Sequence, residues 1–512
     1  MTFGWHFYFL GKIVLFQTGH LFPELAGNVF LALALILPER TAGPWAGTWK
    51  RLRPALALPL AAVLLWREAL LPPFREVFRF LFASQITPSA DYLLSFLSGA
   101  VNLSVVAGLG LLLAVCRAAQ AKSVRLTPVV LLGLAMTPVL KPSTLRGDRH
   151  LSLVENFYSE ERGRKVPFPA SMAGDFDVVL LHVCSFSWDD LHLAGLSDHP
   201  FLKTRFDLLF TRFNSATSYS NPAALRLLRA PCGQVPHSLL FNAASDSCYL
   251  FEQFRKLGYQ TWAAASHDGR YDDMAKILTI HGKAPPPMAV EDLPPAKYNF
   301  DETPIYSDLA VLKRWWSLRQ ASGAKRAAVY FNTISLHQGS HRAGQKRPNS
   351  EEKARYYAEN ARALFDDFEK FFSLLESSGR RVAVVLVGEH GAALSGTKIQ
   401  APDLRAIPMP RITMVPAAVK FIGPGKPSSP GRAQVMDRPA GYLALASALA
   451  DFIAAPPFGR PGGVPPAKPL PETSFLSEAE NAQVLQSGDK FLYKGGPRGW
   501  MELPPDSQGW LP

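Results

Sequence analysis

No small-residue cleavage site ends the first apolar run, no internal repeat recurs along the 512 residues, and only four cysteines are present. With further apolar runs following the first, the expectation is a chain without a removable signal peptide. A nucleic-acid binder would cluster Lys and Arg on its folded domain with stacking aromatics nearby, and the distribution of charge here argues against one. The basic excess lies elsewhere: residues 1–146 carry 13 Lys/Arg against 5 Asp/Glu, so only +4 of the net +12 falls to the other 366 residues. Among the few cysteines, Cys116 sits in an apolar run, whereas Cys184, Cys232 and Cys248 do not. Cys232 and Cys248, 16 apart across a polar loop, predict a disulfide contributing on the order of 3 kcal/mol in an oxidising compartment. Cys184 is left unpaired, and an odd thiol in an exported domain calls for a chemical role.

The apolar content is uneven, so two regions in different solvents are expected: a transmembrane region over 1–145 and a soluble domain over 146–512. Apolar runs extend roughly from Trp5 to Gly19, Glu24 to Pro38, Ala55 to Leu71, Tyr92 to Cys116 and Thr127 to Leu140. About 20 residues cross a bilayer, so about five spans are expected, the first interrupted by Lys12 and the last short. The loops Arg40 to Arg53 and Arg117 to Arg125 hold four and three Lys/Arg, against none in Leu21 to Pro23 and two in Pro72 to Asp91. Basic loops stay cytoplasmic, which puts Met1 inside and everything after Lys141 outside. Phe74 to Phe82 reads as an amphipathic helix lying in the outer interface.

From Phe176 onward, β-rich runs alternate with helical stretches, the pattern of a mostly parallel sheet covered by helices. Strands are expected to end near Ser185, Gly269, Ser335, Gly391 and Gly423. Helices are expected over Asp308 to Gln320 and Ser350 to Ser378, the second capped by its serine. The Pro/Gly-rich tail from Ala454 to Pro471 should wind over the surface before a short C-terminal hairpin.

Ligands of open α/β sheets bind beyond the carboxyl ends of the strands, and there the reactive residues gather. Cys184 ends one expected strand, His267 and Asp268 a second, and Glu389 with His390 a fourth, while His337 follows the third. Singly, each has a plain structural explanation, and for His267 and Asp268 that explanation is the stronger one. Jointly, a thiolate, a carboxylate and an imidazole are three zinc donors that leave a fourth position open. Ser220, followed by Asn221, Pro222 and a helical run bearing Arg226 and Arg229, is the expected nucleophile, because helix-terminal amides receive phosphate and a metal lowers a hydroxyl's pKa. Ser218 is its competitor, since alternation along an extended segment points both side chains the same way.

Four stretches carry a resemblance over essentially the whole chain: HVCSFSWDD at 182–190, FNSATSYSNPAALRLLRAPCGQ at 213–234, FNTISLHQG at 331–339 and GEHGAALSGTKIQAPDLRAIPMP at 388–410. The sequence resembles the BcsG family of cellulose phosphoethanolamine transferases, within the alkaline phosphatase and sulfatase superfamily. The resemblance implies an N-terminal transmembrane bundle and an alkaline phosphatase-like periplasmic domain at the bacterial inner membrane. It implies one zinc held by Cys184, Glu389 and His390 with Ser220, the last also carrying phosphoethanolamine covalently. It matches Tyr219, His337 and Arg405 to further active-site positions. Phosphatidylethanolamine would be the donor, cellulose at a glucose 6-hydroxyl the acceptor, and cellulose synthase subunits the partners. Asn221 departs from the family's common glycine and Gln338 from its aspartate. His337 is the expected acid for the departing diacylglycerol and base for the sugar hydroxyl.

Two rival readings remain. A hydrolase of the same fold would pass the group to water, but Ser220-Asn221-Pro222-Ala223-Ala224 lacks the arginine of a C/S-x-P-x-R sulfatase core. A membrane scaffold with a decayed site sits poorly with the intact set Cys184, Ser220, Glu389 and His390.

Overall fold

The computed structural model describes residues 2–18, 20–21, 24–37, 46–69, 103–140, 147–345, 348–349, 351–427, 431–459, 469–495 and 500–512. The expected interfacial helix Phe74 to Phe82, the start of the run from Tyr92, the capping Ser350, the boundary at 145/146 and much of the tail from Ala454 to Pro471 lie outside the described residues.

Each of the apolar runs contains or overlaps a helix: α1 (Phe3–Gln17), α2 (Leu25–Ile36), α3 (Ala46–Glu68), α4 (Leu103–Ala121) and α5 (Thr127–Leu140). Among the described residues, only α4 is long and apolar enough by itself to cross a membrane. Phe9, Leu31, Leu35, Leu64 and Leu134 bury one face of α1, α2, α3 and α5 against each other. Phe30, Leu58, Leu111 and Leu132 point outward. A buried polar network runs through this apolar packing. Lys12 pairs with Glu68 and donates to Asn28 Oδ1 and Tyr8 Oη, and Asn28 donates to Glu68 in turn.

After α6 (Gly147–Gly163), a seven-stranded sheet forms from β1 (Asp177–Val183), β2 (Leu208–Asn214), β3 (Gln260–Ala265), β6 (Ala327–Thr333), β7 (Val382–Gly388), β8 (Met414–Ile422) and β9 (Gln434–Met436), in the order β3-β6-β1-β7-β8-β2-β9. The missing numbers, β4 (Pro295–Tyr298) and β5 (Pro304–Tyr306), form a small separate ladder. β1 is parallel to both β6 and β7, whereas β8 runs antiparallel between β7 and β2. The sheet is therefore mostly parallel, with one reversed strand and with β2 an additional strand whose pattern is broken by exposed Arg212.

Helices cover both faces, which is why the central strands read as continuous apolar runs. Val178 and Leu180 of β1 join a core with α9 (Ser220–Leu228), α10 (Leu250–Lys256), α11 (Met274–Ile280) and α14 (Tyr442–Ala454). Val179 and Leu181 join the opposite core with α7 (Trp188–Leu193), α8 (Pro200–Thr204), α12 (Asp308–Ala321) and α13 (Lys353–Ser377). On α13, Tyr357, Ala361, Leu364, Phe368, Phe371 and Leu375 recur at the helical period and are all buried. This helix starts three residues later than expected. Asn349 Oδ1 accepts from the amides of Glu351 and Glu352 in the turn that leads into it, and Glu352 at the N-cap makes no side-chain capping bond.

The amino ends of the strands are clamped by buried Asp177, which accepts from Arg319 Nε and Nη2 at 2.8 and 3.0 Å, Arg380 Nε at 3.0 Å and the Ala327 amide at 2.7 Å. In place of a lone C-terminal hairpin there is a four-stranded antiparallel sheet, β10 (Leu476–Ala479), β11 (Ala482–Ser487), β12 (Lys490–Gly495) and β13 (Met501–Glu502), the β11-β12 hairpin gaining a partner on each side. It braces the loop before α9: the Glu478 amide donates to Ala216 O at 3.0 Å, and Glu478 pairs with buried Arg226 at 3.6 Å.

Candidate active site

The donor residues converge because β1 and β7 are register neighbours. Val183 pairs with Gly388, so the next residue on each strand, Cys184 and Glu389, leaves the sheet side by side. The ladder continues past the strands: the Glu389 amide donates to Val183 O at 2.8 Å and the Phe186 amide to His390 O at 2.6 Å. Between them Ser185 takes a left-handed φ of 59°, a conformation a non-glycine residue holds only when its surroundings impose it. Tyr357 Oη, donating to Ser185 O at 2.8 Å, is one such constraint.

The ligand atoms of Cys184, Glu389 and His390 lie within 4.8 Å of one another, and all three residues are buried. Ser220 Oγ, at the first turn of α9, is 3.6 Å from Cys184 Sγ and 3.2 Å from His390 Nε2. His390 Nδ1 faces Gly391 O at 2.9 Å; it donates there, which leaves the Nε2 lone pair toward Ser220 and the other donors. Among the described residues Glu389 Oε2 has no hydrogen-bond partner, and it lies 3.8 Å from His390 Nε2.

Burial acts on all three groups. It pushes the Cys184 thiol up to about 12, with Glu389 adding to the effect, and raises the Glu389 carboxyl to about 7. It lowers His390 well below the usual imidazole range, helped by Arg405. A buried thiol, an orphaned carboxylate oxygen and an outward imidazole lone pair form a donor set that fits a divalent cation of borderline softness.

Arg405 extends the site. Its Nη1 donates to Gln338 Oε1 at 3.2 Å, and its guanidinium lies 5.9 Å from the ring centroid of exposed Tyr219. Gln338 thus occupies its position as an acceptor from Arg405, one role an aspartate would also serve. The next residue back, His337, donates from Nδ1 to Gln338 O at 2.9 Å and stacks on Phe300 at 5.4 Å, which leaves Nε2 unprotonated. Burial and then Arg405 lower its pKa to about 3.

The two serines part company in three dimensions. Ser218, fully buried, donates from Oγ to Arg405 O at 2.6 Å, whereas Ser220 Oγ faces the donor cluster. Asn221 turns away from the donors and donates to Asp272 O and Oδ2, both at 2.8 Å. Arg229 serves the fold by donating to Leu240 O and Asn242 O. Cys232 and Cys248 are joined by a disulfide, and Cys184 is free.

Asp268 bonds its own loop, at the Arg270 amide and side chain. His267 bonds Asn332, and Asn332 donates to Glu389 Oε1. Asn332 carries one signal in the sequence, a polar side chain within the apolar run of β6. Asp190 was likewise missed as part of the site: its oxygens accept from the Ala392 and Leu394 amides at 2.6 and 3.0 Å, pinning the loop after His390. Gly391 is required beneath it, since a Cβ there would come within 2.6 Å of Asp190 Oδ2.

Fold and donor set together define an α/β domain with a serine hydroxyl, a thiol, a carboxylate and an imidazole at the carboxyl edge of its sheet. The chain belongs to the BcsG family: residues 139–500 match the C-terminal domain of the cellulose biosynthesis protein BcsG and residues 5–139 its N-terminal domain. It is 33% identical to the cellulose biosynthesis proteins BcsG of Escherichia coli and of Salmonella typhimurium, in each case covering 98% of this chain and 96% of the relative. Among solved structures, a Vibrio parahaemolyticus protein in the alkaline phosphatase superfamily aligns with a TM-score of 0.47 at 14% identity, over 72% of this chain and 91% of its own.

Proposed function

We propose that this protein transfers phosphoethanolamine from phosphatidylethanolamine to a glucose 6-hydroxyl of cellulose, through a covalent phosphoethanolamine intermediate on Ser220. The observation that carries the reading is the placement of Ser220 Oγ against Cys184 Sγ and His390 Nε2, with Ser218 Oγ bonded elsewhere. Membership of a cellulose biosynthesis family supports the acceptor.

Cys184, Glu389, His390 and Ser220 would hold one zinc ion, which supplies Lewis acidity to lower the hydroxyl pKa and offset phosphoryl charge. In the first half-reaction Ser220 Oγ bonds phosphorus as the bond from phosphorus to the diacylglycerol oxygen breaks, and the serine proton passes to the unprotonated Nε2 of His337. His337 hands that proton on to the departing oxygen, and Arg405 offsets charge on the phosphoryl oxygens. In the second, His337 takes the proton of the sugar hydroxyl as its oxygen bonds phosphorus and returns it to Ser220 Oγ as the serine leaves. Atoms balance: one lipid and one sugar hydroxyl give diacylglycerol and a modified sugar. Helices with outward apolar side chains and the disulfide support a multi-pass inner-membrane protein with a transmembrane region over 1–145 and its catalytic domain, 146–512, in the periplasm. Tethering keeps the site near its lipid donor, which raises effective concentration. Cellulose synthase subunits would be its neighbours there.

Mass spectrometry of the full chain after exposure to phosphatidylethanolamine is the test. A phosphoethanolamine adduct on Ser220 is expected, and an adduct confined to another residue overturns the assignment.

A further inference from the structure

Asn332, 1% exposed near the carboxyl end of β6, belongs to neither the nucleophile nor the donor set. Its amide faces two partners. Oδ1 lies 2.7 Å from His267 Nε2, and Nδ2 donates to Glu389 Oε1. To make the second bond it reaches past β1, which separates β6 from β7 in the sheet. The Nδ2 group is also 3.4 Å from His182 O on that intervening strand.

The direction of this chain is set at its far end. The Gly269 backbone N–H can only donate, and it donates to His267 Nδ1 at 3.0 Å. Nδ1 is therefore an acceptor, and the hydrogen of the neutral ring is on Nε2. That hydrogen goes to Asn332 Oδ1. A flipped amide would set N–H against N–H at His267 and oxygen against carboxylate at Glu389, so only one orientation satisfies both ends. Asn332 then holds Glu389 Oε1 and leaves Oε2, which has no hydrogen-bond partner, beside His390 Nε2.

We propose that the Gly269 amide, His267 and Asn332 form a one-way hydrogen-bond chain that dedicates one oxygen of Glu389 to the metal, making His267 and Asn332 positioning residues of the centre. The inference rests on Cys184, Glu389 and His390 being a metal site. Four residues from three strands or their ends act in series: a backbone amide fixes a tautomer, the tautomer fixes an amide's orientation, and the amide fixes a carboxylate. The far members touch neither metal nor substrate. Their loss lets Asn332 turn over and sets Glu389 free to rotate, and removing such outer partners of metal ligands costs about 10- to 100-fold in affinity.

The experiment uses the full chain in detergent micelles, stripped of metal and titrated with zinc against a chelating competitor. His267→Phe and Asn332→Leu should each lose about 10- to 100-fold in zinc affinity. His267→Gln, whose side-chain amide again offers a donor to Asn332 Oδ1, should recover most of it. Cobalt(II) gives a second readout, because the visible bands of the His267→Phe protein should shift with the carboxylate's coordination while those of His267→Gln match the parent. Parent-like affinity in His267→Phe overturns the chain, as does an equal loss in His267→Gln, which would mark simple packing. If Asn332→Leu does not fold, the His267 pair decides alone. A parent protein that binds neither metal overturns the metal reading itself, and the chain with it.

Discussion

Ser218 and Ser220 are two residues apart and chemically identical, so replacing each by alanine separates a structural hydroxyl from a reacting one. Ser218 Oγ donates to Arg405 O at 2.6 Å from a fully buried position. In Ser218→Ala that carbonyl, on half-buried Arg405, loses its donor and a small buried void is left, a loss of about 1 kcal/mol. Ser220 Oγ is half-buried at the mouth of the donor cluster, and no backbone group depends on it. Ser220→Ala should therefore change stability by less than about 1 kcal/mol. Catalysis should invert the order. Deleting a covalent nucleophile costs on the order of 10⁶-fold in turnover, so transfer by Ser220→Ala should fall below detection. Ser218→Ala should keep transfer within about tenfold, because a slight displacement of Arg405 affects only its share of the charge stabilisation. Urea titrations of both variants, with adduct mass spectrometry and transfer to a cello-oligosaccharide, give the comparison. A Ser220→Ala protein that still transfers, or a Ser218→Ala protein of parental stability without adduct, refutes the reasoning.

Cys184→Ala and His390→Ala should each lose zinc from the purified protein by metal analysis, and full stoichiometry in both would remove the metal assignment. Asp308 is buried with Oδ2 accepting from Ser335 Oγ and Oδ1 without a partner, and burial raises its carboxyl from 3.8 to about 6. The native state holds this proton more tightly, so its ionisation costs nothing below pH 3.8 and the full penalty above 6; Asp308→Asn should gain stability over the parent as pH rises through that window, by as much as about 3 kcal/mol, and a pH-independent difference refutes it. Lys12→Met should leave Glu68 as an unpaired buried charge and cost about 3–5 kcal/mol in micelles, while Lys12→Met with Glu68→Leu should recover most of it; additive losses would refute a direct pair. Breaking Cys232–Cys248, whose partners are 16 residues apart, should cost about 3 kcal/mol, and peptide mapping without reduction should show Cys184 as a free thiol.

Elements whose signal is local can be read from the residues alone. The strands that lead to Cys184, His267, His337 and Glu389 are legible because a strand covered on both faces is largely apolar. The long helix at 353–377 is legible from its period, and the donor types from their chemistry at strand ends. Strand order, the reversal of β8 and the place of β2 came only with the tertiary structure, since pairing partners far apart in the chain leave no mark in either segment. The same holds at the site. Ser218 and Ser220 are indistinguishable by alternation, and what separates them is the carbonyl of Arg405, 187 residues away from Ser218. Asn332 reads as a lone polar residue in an apolar strand until the fold sets His267 on one side of it and Glu389 on the other. A hydrogen bond has direction, and direction exists only once both partners are in place. The sequence therefore supplied the reactive groups, and the packing of the sheet decided which of their atoms face one another.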